Sequence, residues 1–197
     1  MRIIVQAMEE RGPYIEYVKK HLPGAVFCYD EKQDAMDTFL RAMEMAGEGP
    51  SVHMEEDVIL TKKFYPKLMA VINERRRVLN RQFKTESMIQ FFSMRQADLT
   101  IKSRWDSNFA MNQCVYHPRG YSRMLLEYSK EWIPANPEHP WGYDTMMNDW
   151  LKGRKERHWI HVPSLVDHRV GKSMIGVSSG HGRSSKRQSL TFHDPEE

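Results

Sequence analysis

Cysteine is scarce in this sequence, and long apolar runs are missing from it. The only two cysteines, Cys28 and Cys114, both stand in apolar surroundings, which predicts buried thiols and argues against a disulfide framework or a cysteine zinc site. No stretch approaches the roughly 18 apolar residues that span a bilayer, and the N-terminus lacks a signal-peptide pattern. We therefore expect no membrane span and a soluble, cytoplasmic protein.

Net charge is also small, at +3 over 197 residues, so bulk charge alone does not indicate a nucleic-acid partner. The basic residues are nevertheless clustered. One cluster is the run Arg75-Arg76-Arg77, and the other lies near the C-terminus. A run of arginines is most often a solvated helix face. With 40% hydrophobic residues, we expect one domain over residues 1–177 and a flexible basic tail over 178–197.

The first sixty residues alternate between β-branched runs and helical periodicity. Strands are predicted at 2–7, 25–29 and 51–60, with amphipathic helices over 14–22 and 34–46. This order is typical of an α/β protein whose mostly parallel central sheet has helices on both faces and binds ligands at the carboxyl ends of its strands. Later helices are predicted at 65–78, 119–132 and 143–152, and later strands at 88–93, 110–116 and 158–162.

Three consecutive acids, Glu55, Glu56 and Asp57, interrupt the third apolar run. On an extended backbone Glu55 and Asp57 leave the same face, where they can share one hard cation. A divalent metal at a strand end is well placed to hold a diphosphate. The alternative is an acidic corner bathed in water.

The order of these parts resembles the nucleotide-sugar glycosyltransferases of the GT-A fold, especially small bacterial and bacteriophage members. The resemblance rests on Arg11 after the first strand, Asp30 ending the second, a helix carrying Arg41, the run MEEDV at 54–58, and PSLVDH at 163–168 followed by Lys172. The chain has Glu55-Glu56-Asp57 where the commonest family pattern is D-x-D. The resemblance implies a GT-A-like, Rossmann-type sandwich.

The resemblance also implies a site for Mn²⁺ or Mg²⁺ and a nucleotide sugar, most simply a UDP-sugar. Glu55, Asp57 and His168 are the expected metal ligands. Donor-binding roles are expected for residues near the strand ends and the C-terminal basic cluster, namely Gln6, Arg11, Asp30, Arg41, Glu56, Lys172, Lys186 and Arg187.

In this family an acid at the position of Asp144 takes the acceptor proton, which gives an inverting reaction. Asp149 is the substitute candidate, Asp144 as a helix cap is the structural alternative, and a retaining enzyme would need no such base.

The acceptor hypothesis favours 5-hydroxymethylpyrimidine in phage DNA, with Arg75, Arg76 and Arg77 contacting phosphates. On this hypothesis the protein works in the cytoplasm of an infected host. Glycan and protein acceptors are the alternatives. Two other classes also stay open, a nucleotidyltransferase and a non-catalytic nucleic-acid-binding protein, although a pure binder has no need of acids beside its anionic ligand.

Overall fold

The computed structural model describes residues 1–82, 85–110, 112–138, 142–169 and 187–196. Within them the chain forms nine strands and five α-helices. The strands are β1 (Arg2–Ala7), β2 (Val26–Tyr29), β3 (Ser51–Glu55), β4 (Val58–Leu60), β5 (Ile89–Gln90), β6 (Arg104–Asp106), β7 (Cys114–His117), β8 (His158–Ile160) and β9 (Val166–His168). The helices are α1 (Gly12–His21), α2 (Ala35–Ala46), α3 (Phe64–Arg81), α4 (Tyr121–Ala135) and α5 (Tyr143–Gly153).

Seven strands form the central sheet in the order β2-β1-β3-β7-β5-β8-β6. β1 pairs in parallel with β2 and β3, and β5 pairs in parallel with β8. β7 runs antiparallel to β3 and β5, and β6 runs antiparallel to β8. Five of the seven strands therefore point the same way, which confirms the predicted α/β class with a mostly parallel sheet.

The chain leaves β1 for β2 on one side and returns to β3 on the other side of β1. This reversal opens a crevice at the carboxyl ends of β1 and β3, the usual ligand position in an open α/β sheet. Gln6 and Glu55 are paired in register there. The crevice thus lies beside the acidic run.

Helices cover both faces of the sheet because successive strand residues point to opposite sides. On one face Val52 and Met54 pack with α1 and α3, through residues such as Val18 and Leu68. On the other face α2, α4 and α5 share a second apolar cluster, which includes Phe39. In the described part of the chain, no helix is long and apolar enough to cross a membrane.

Sequence signals account well for the position of α2. The Asp34 carboxylate accepts the backbone N–H groups of Met36 and Asp37 at 2.9 and 3.1 Å and so caps the first turn. The helix ends at Gly47, whose φ of +64° a residue with a Cβ adopts only with strain. Both buried cysteines are free thiols, as predicted.

A second, two-stranded sheet pairs β4 with β9 in antiparallel register. Residues 187–196 lie against it, because the Thr61 backbone pairs with Pro195 and the Glu196 N–H donates to the Leu60 carbonyl at 2.7 Å. Thr191 is buried. Backbone hydrogen bonds to the edge of β4 thus hold the last described segment, whereas residues 178–186 of the predicted flexible tail lie outside the described residues.

Candidate functional site

The three predicted metal ligands converge where β3 ends. Glu55 is the last residue of β3, Asp57 lies in the turn before β4, and His168 ends β9. Each offers one ligand atom, and these atoms lie within 4.8 Å of one another. Asp57 and His168 are buried, and Glu55 is half-buried. We refer to these side chains as the acid–histidine cluster.

Pairing of β4 with β9 brings the two C-terminal members of the cluster together. Val58 is the register partner of His168, and the Arg169 N–H donates to the Asp57 carbonyl at 2.7 Å. As a result, Asp57 Oδ2 lies 3.2 Å from His168 Nε2. A short strand thus places the histidine that the resemblance implied.

Opposite charges outweigh burial in this pair. Burial disfavours the charged form of Asp57, but its hydrogen bond with His168 and the charges of His168 and Arg11 keep its pKa below the ordinary value. Burial likewise opposes protonation of His168, yet the adjacent Asp57 raises the pKa of the imidazole. Asp57 and His168 therefore favour each other's charged form, and a divalent cation could take the place of the imidazolium charge.

Arg11, which ends a short 3-10 helix after β1, contacts two acids of the run, Glu56 and Asp57. Its Nη1 lies 2.6 Å from Asp57 Oδ2 and 3.0 Å from Glu56 Oε1. Burial and the Asp57 charge raise the pKa of Glu56 to about 8, although Arg11 acts in the opposite direction. At pH 7 Glu56 is therefore mostly protonated, and the Arg11 charge is directed mainly at Asp57.

Glu55 accepts hydrogen bonds at both carboxylate oxygens. The Tyr143 hydroxyl donates to Oε1 at 2.7 Å, and the Gln113 amide donates to Oε2 at 3.3 Å. Burial and the Asp57 charge raise the pKa of Glu55, against the effects of the Tyr143 bond, His168 and Arg187. Glu55 is thus held in one orientation, and a nearby cation would favour its ionised form.

The cluster fits a hard divalent metal. Asp57 Oδ1 and Gln113 Oε1 are buried acceptors with no hydrogen-bond partner among the described residues. Such atoms are costly unless something satisfies them. Two carboxylates and one imidazole form a donor set that suits Mn²⁺, whereas Mg²⁺ prefers oxygen ligands alone. These observations favour Mn²⁺ over Mg²⁺.

The predicted donor-binding residues near β1 and β2 differ in how far they are engaged. Gln6 is buried at the end of β1, and its Nε2 has no partner in the described chain. Asp30 Oδ1 accepts the N–H groups of Lys32 and Asp34 at 3.1 Å and so organises its own loop. Arg41 donates to Asp37 and to the Tyr29 carbonyl. Gln6 is therefore the best placed of the three to meet a ligand.

Of the predicted C-terminal cations, Arg187 is described and half-buried. Its charge acts on the pKa values of both Glu55 and His168, which places it near the acid–histidine cluster. Lys172 and Lys186 lie outside the described residues.

Asp144 is the second residue of α5 and directly follows Tyr143, whose pKa its charge helps to raise. The N-cap of this helix is Gly142, so Asp144 is not the cap residue. Asp149 instead accepts a hydrogen bond from the Trp132 indole at 3.0 Å and faces α4. The structure thus brings Asp144 next to Tyr143, whose hydroxyl binds Glu55, whereas Asp149 lies against α4.

The three arginines predicted to contact an acceptor do not form one surface. The Arg75 guanidinium lies 3.6 Å from the ring centroid of Trp159 and 5.1 Å from that of Trp105. Arg76 is half-buried and donates to the Glu86 carboxylate and to the Tyr116 hydroxyl. Arg77 is exposed and pairs with Glu74. All three therefore make intramolecular contacts, and of the three only Arg77 is exposed.

Two site residues were not predicted from the sequence, Gln113 and Tyr143. Gln113 stands in an apolar stretch that predicts a strand, and Tyr143 stands at the start of a predicted helix, where an aromatic side chain usually serves the core. The polar Gln113 immediately before β7 was a usable signal for this site. β7 neighbours β3, and its first residue, Cys114, pairs with Met54 next to Glu55.

Comparison with protein-family models and with curated proteins gives no match. Among solved structures, one similar chain is described as "Crystal Structure of A197 from STIV". The two chains are 17% identical, 87% of each is covered, and the TM-score is 0.48. A likeness this distant carries no argument about function.

Proposed function

We propose that the protein is a metal-dependent glycosyltransferase that moves a sugar from a nucleotide-sugar donor to a hydroxyl acceptor. The observation that carries the proposal is the acid–histidine cluster, whose three ligand atoms lie within 4.8 Å of one another beside the crevice between β1 and β3. A bound Mn²⁺ or Mg²⁺ there would neutralise charge on the leaving diphosphate.

The neighbouring side chains suit a nucleoside diphosphate donor, which we propose to be a UDP-sugar. The Gln6 amide N–H group at the end of β1 has no partner in the part of the chain that the structure describes, and Arg187 contributes positive charge near Glu55. Arg11 is held by Asp57 and Glu56, so its proposed role is to keep the acidic turn in place for the diphosphate.

Asp144 is the proposed general base. It follows Tyr143, which binds Glu55, and its charge helps to raise the pKa of Tyr143; both observations support a role for Asp144 near the proposed metal. A base there would take the proton of the attacking hydroxyl while the sugar leaves the diphosphate, and the reaction would invert the anomeric centre.

The acceptor is proposed as a hydroxyl-bearing molecule, with hydroxymethylated DNA, glycans and proteins as the classes to test. The contacts of Arg75 and Arg76 remove much of the support for a phosphate-binding surface on α3. Sugar transfer to duplex DNA with and without 5-hydroxymethylcytosine, run beside glycan and peptide acceptors, separates these classes.

The first test measures thermal unfolding with a panel of nucleoside diphosphates, each with and without Mn²⁺. A nucleotide at a hundred times its Kd stabilises the native state by about 2.7 kcal/mol, so the matching nucleotide should raise Tm only when Mn²⁺ is present. Stabilisation by every nucleotide regardless of metal would contradict the proposal. Recovery of a nucleoside diphosphate as product separates glycosyl transfer from nucleotidyl transfer, which releases pyrophosphate instead.

A further inference from the structure

The Tyr143 hydroxyl group is the strongest unassigned feature near the acid–histidine cluster. Tyr143 is buried, and its hydroxyl donates to Glu55 Oε1 at 2.7 Å. Its ring stacks on Phe39 of α2, with centroids 4.8 Å apart and planes 7° from parallel. Because the ring is fixed between α2 and the sheet, the position of the hydroxyl is fixed as well.

Glu55 depends on this donor more than on its other one. The Gln113 amide reaches Oε2 at 3.3 Å, which is long for a hydrogen bond, whereas the Tyr143 bond has the usual length of 2.7 Å. Two donors on one carboxylate stop it from rotating and leave its remaining lone pairs aimed in set directions. A carboxylate held in this way loses less freedom when it binds a cation.

We infer that Tyr143 is a positioning residue that sets Glu55 for the divalent cation, and this inference rests on the proposed function of the acid–histidine cluster. Since Asp144 follows Tyr143 on the first turn of α5, the same bond fixes that turn relative to Glu55. The helix has no side-chain cap at Gly142 that would hold its first turn instead.

The chain contains a matched control for deleting this hydroxyl. Tyr116 is also buried, and its hydroxyl donates to the Glu86 carboxylate at 2.6 Å. Tyr116 pairs in register with Val52, near the start of β3, whereas Glu55 ends that strand. Tyr116→Phe therefore removes the same kind of tyrosine–carboxylate bond, together with one bond from Arg76, near the start of β3 instead of at its end.

The test is a titration of the full chain with Mn²⁺, in which the free ion is measured by electron paramagnetic resonance. Tyr143→Phe should weaken Mn²⁺ binding by about 10- to 100-fold, the usual effect of losing a partner of a metal ligand. Tyr116→Phe should leave the Mn²⁺ affinity at the parent value. The unfolding midpoint of each variant shows that both chains are folded, and a loss of stability common to both does not change the expected contrast.

Three outcomes would overturn the inference. If Tyr143→Phe and the parent bind Mn²⁺ with equal affinity, the inference about Tyr143 is wrong, but the proposed function is not affected. Equal weakening by both tyrosine variants shows a general effect of stability, and also overturns it. If the parent binds no Mn²⁺, the proposed function and the inference fail together. If Tyr143→Phe does not fold, Gln113→Met tests the same idea, because it removes the other hydrogen bond to Glu55. The loss of Mn²⁺ affinity should then be smaller than about 10-fold. An unchanged affinity would be evidence against the inference.

Discussion

His117 and His168 are both buried histidines at the ends of strands, but their electrostatic surroundings are opposite. His117 ends β7 and packs against His53, with ring centroids 4.6 Å apart and planes tilted by 39°. Neither ring nitrogen of His117 has a partner among the described residues. Burial lowers the pKa of His117 to about 3. His168 is nearly as buried, yet Asp57 raises its pKa.

This contrast shows that a carboxylate within hydrogen-bond distance decides the charge of a buried imidazole. At the amino end of β3 the histidines are neutral packing groups. At the carboxyl end of the same strand, charged groups are retained inside the protein at an energetic cost, and such perturbed titratable groups cluster at functional sites. The comparison therefore supports a ligand for the acid–histidine cluster and none for the histidine pair.

The largest expected effect comes from Asp57→Asn, which breaks the contrast by making His168 resemble His117. The pKa of His168 should fall, because the attraction that raised it is removed. Mn²⁺ affinity and sugar transfer should be nearly abolished, beyond the about 100-fold loss typical of residues that only support a metal ligand. An NMR titration of the imidazole protons and a Mn²⁺ titration measure the two effects.

Asp98→Asn is the matched control for that variant. Asp98 is also buried and pairs with an arginine, since its Oδ1 lies 2.7 Å from Arg104 Nη1. This substitution should lower stability and leave Mn²⁺ binding unchanged. Retained transfer in Asp57→Asn, with both variants folded, would remove Asp57 from the metal site.

A smaller effect is expected for Asp144→Asn, which tests whether the functional site around the acid–histidine cluster includes the first turn of α5. Donor and Mn²⁺ binding should survive, while kcat falls by about 10² to 10⁴, the usual contribution of a positioned base. Asp149→Asn makes the same change on the side of α5 that faces Trp132 and should keep kcat near the parent value. Turnover within a few-fold of the parent in Asp144→Asn would favour a retaining mechanism.

The smallest expected effect is on stability at acid pH, and it measures the contribution of the neutral His117 by itself. The native pKa of His117 is about 3 and the unfolded value is about 6.5, so below pH 6.5 the unfolded chain binds the extra proton. The contribution of His117 is fully present above pH 6.5 and is lost as the pH falls toward 3, by about 1.4 kcal/mol per pH unit. His117→Gln should flatten the fall in unfolding free energy between pH 6 and 4.

Urea unfolding of the parent and His117→Gln at several pH values measures this slope. His158 and His161, whose pKa values burial lowers to about 4, contribute to the slope of both proteins and cancel in the difference. Glu56 acts in the opposite direction, since its native pKa of about 8 makes stability fall as pH rises from about 4.5, and it cancels too. Identical slopes would show that His117 gains a partner in solution.

The sequence predicted the first half of the fold and the membership of the acid–histidine cluster better than the rest. The units from β1 to β3 have long periodic segments with clear breaks such as Pro23-Gly24, so local pattern was enough. β9 was missed because three residues carry no usable period and its partner β4 is remote in sequence. Gln113 and Tyr143 were missed because only tertiary packing brings them to Glu55.

The arginine run shows the other limit of sequence pattern. Neighbouring arginines on a helix point in different directions, and what each one meets depends on distant strands. Arg75 meets Trp159 and Trp105, and Arg76 meets Glu86, none of which local composition indicates. The run of charges therefore predicted one basic surface, whereas the structure directs Arg75 and Arg76 to different partners.

The pairing of β4 with β9 also determines when, during synthesis and folding, the proposed metal site is complete. Asp57 comes from the first half of the chain and His168 from near its end, so a ribosome-bound chain has Glu55 and Asp57 long before their histidine is made. The full set of ligands exists only after this long-range contact closes, a late event in folding. Tight metal binding would therefore report that a newly made chain has finished folding, and metal added during refolding would act on the last step, not the first.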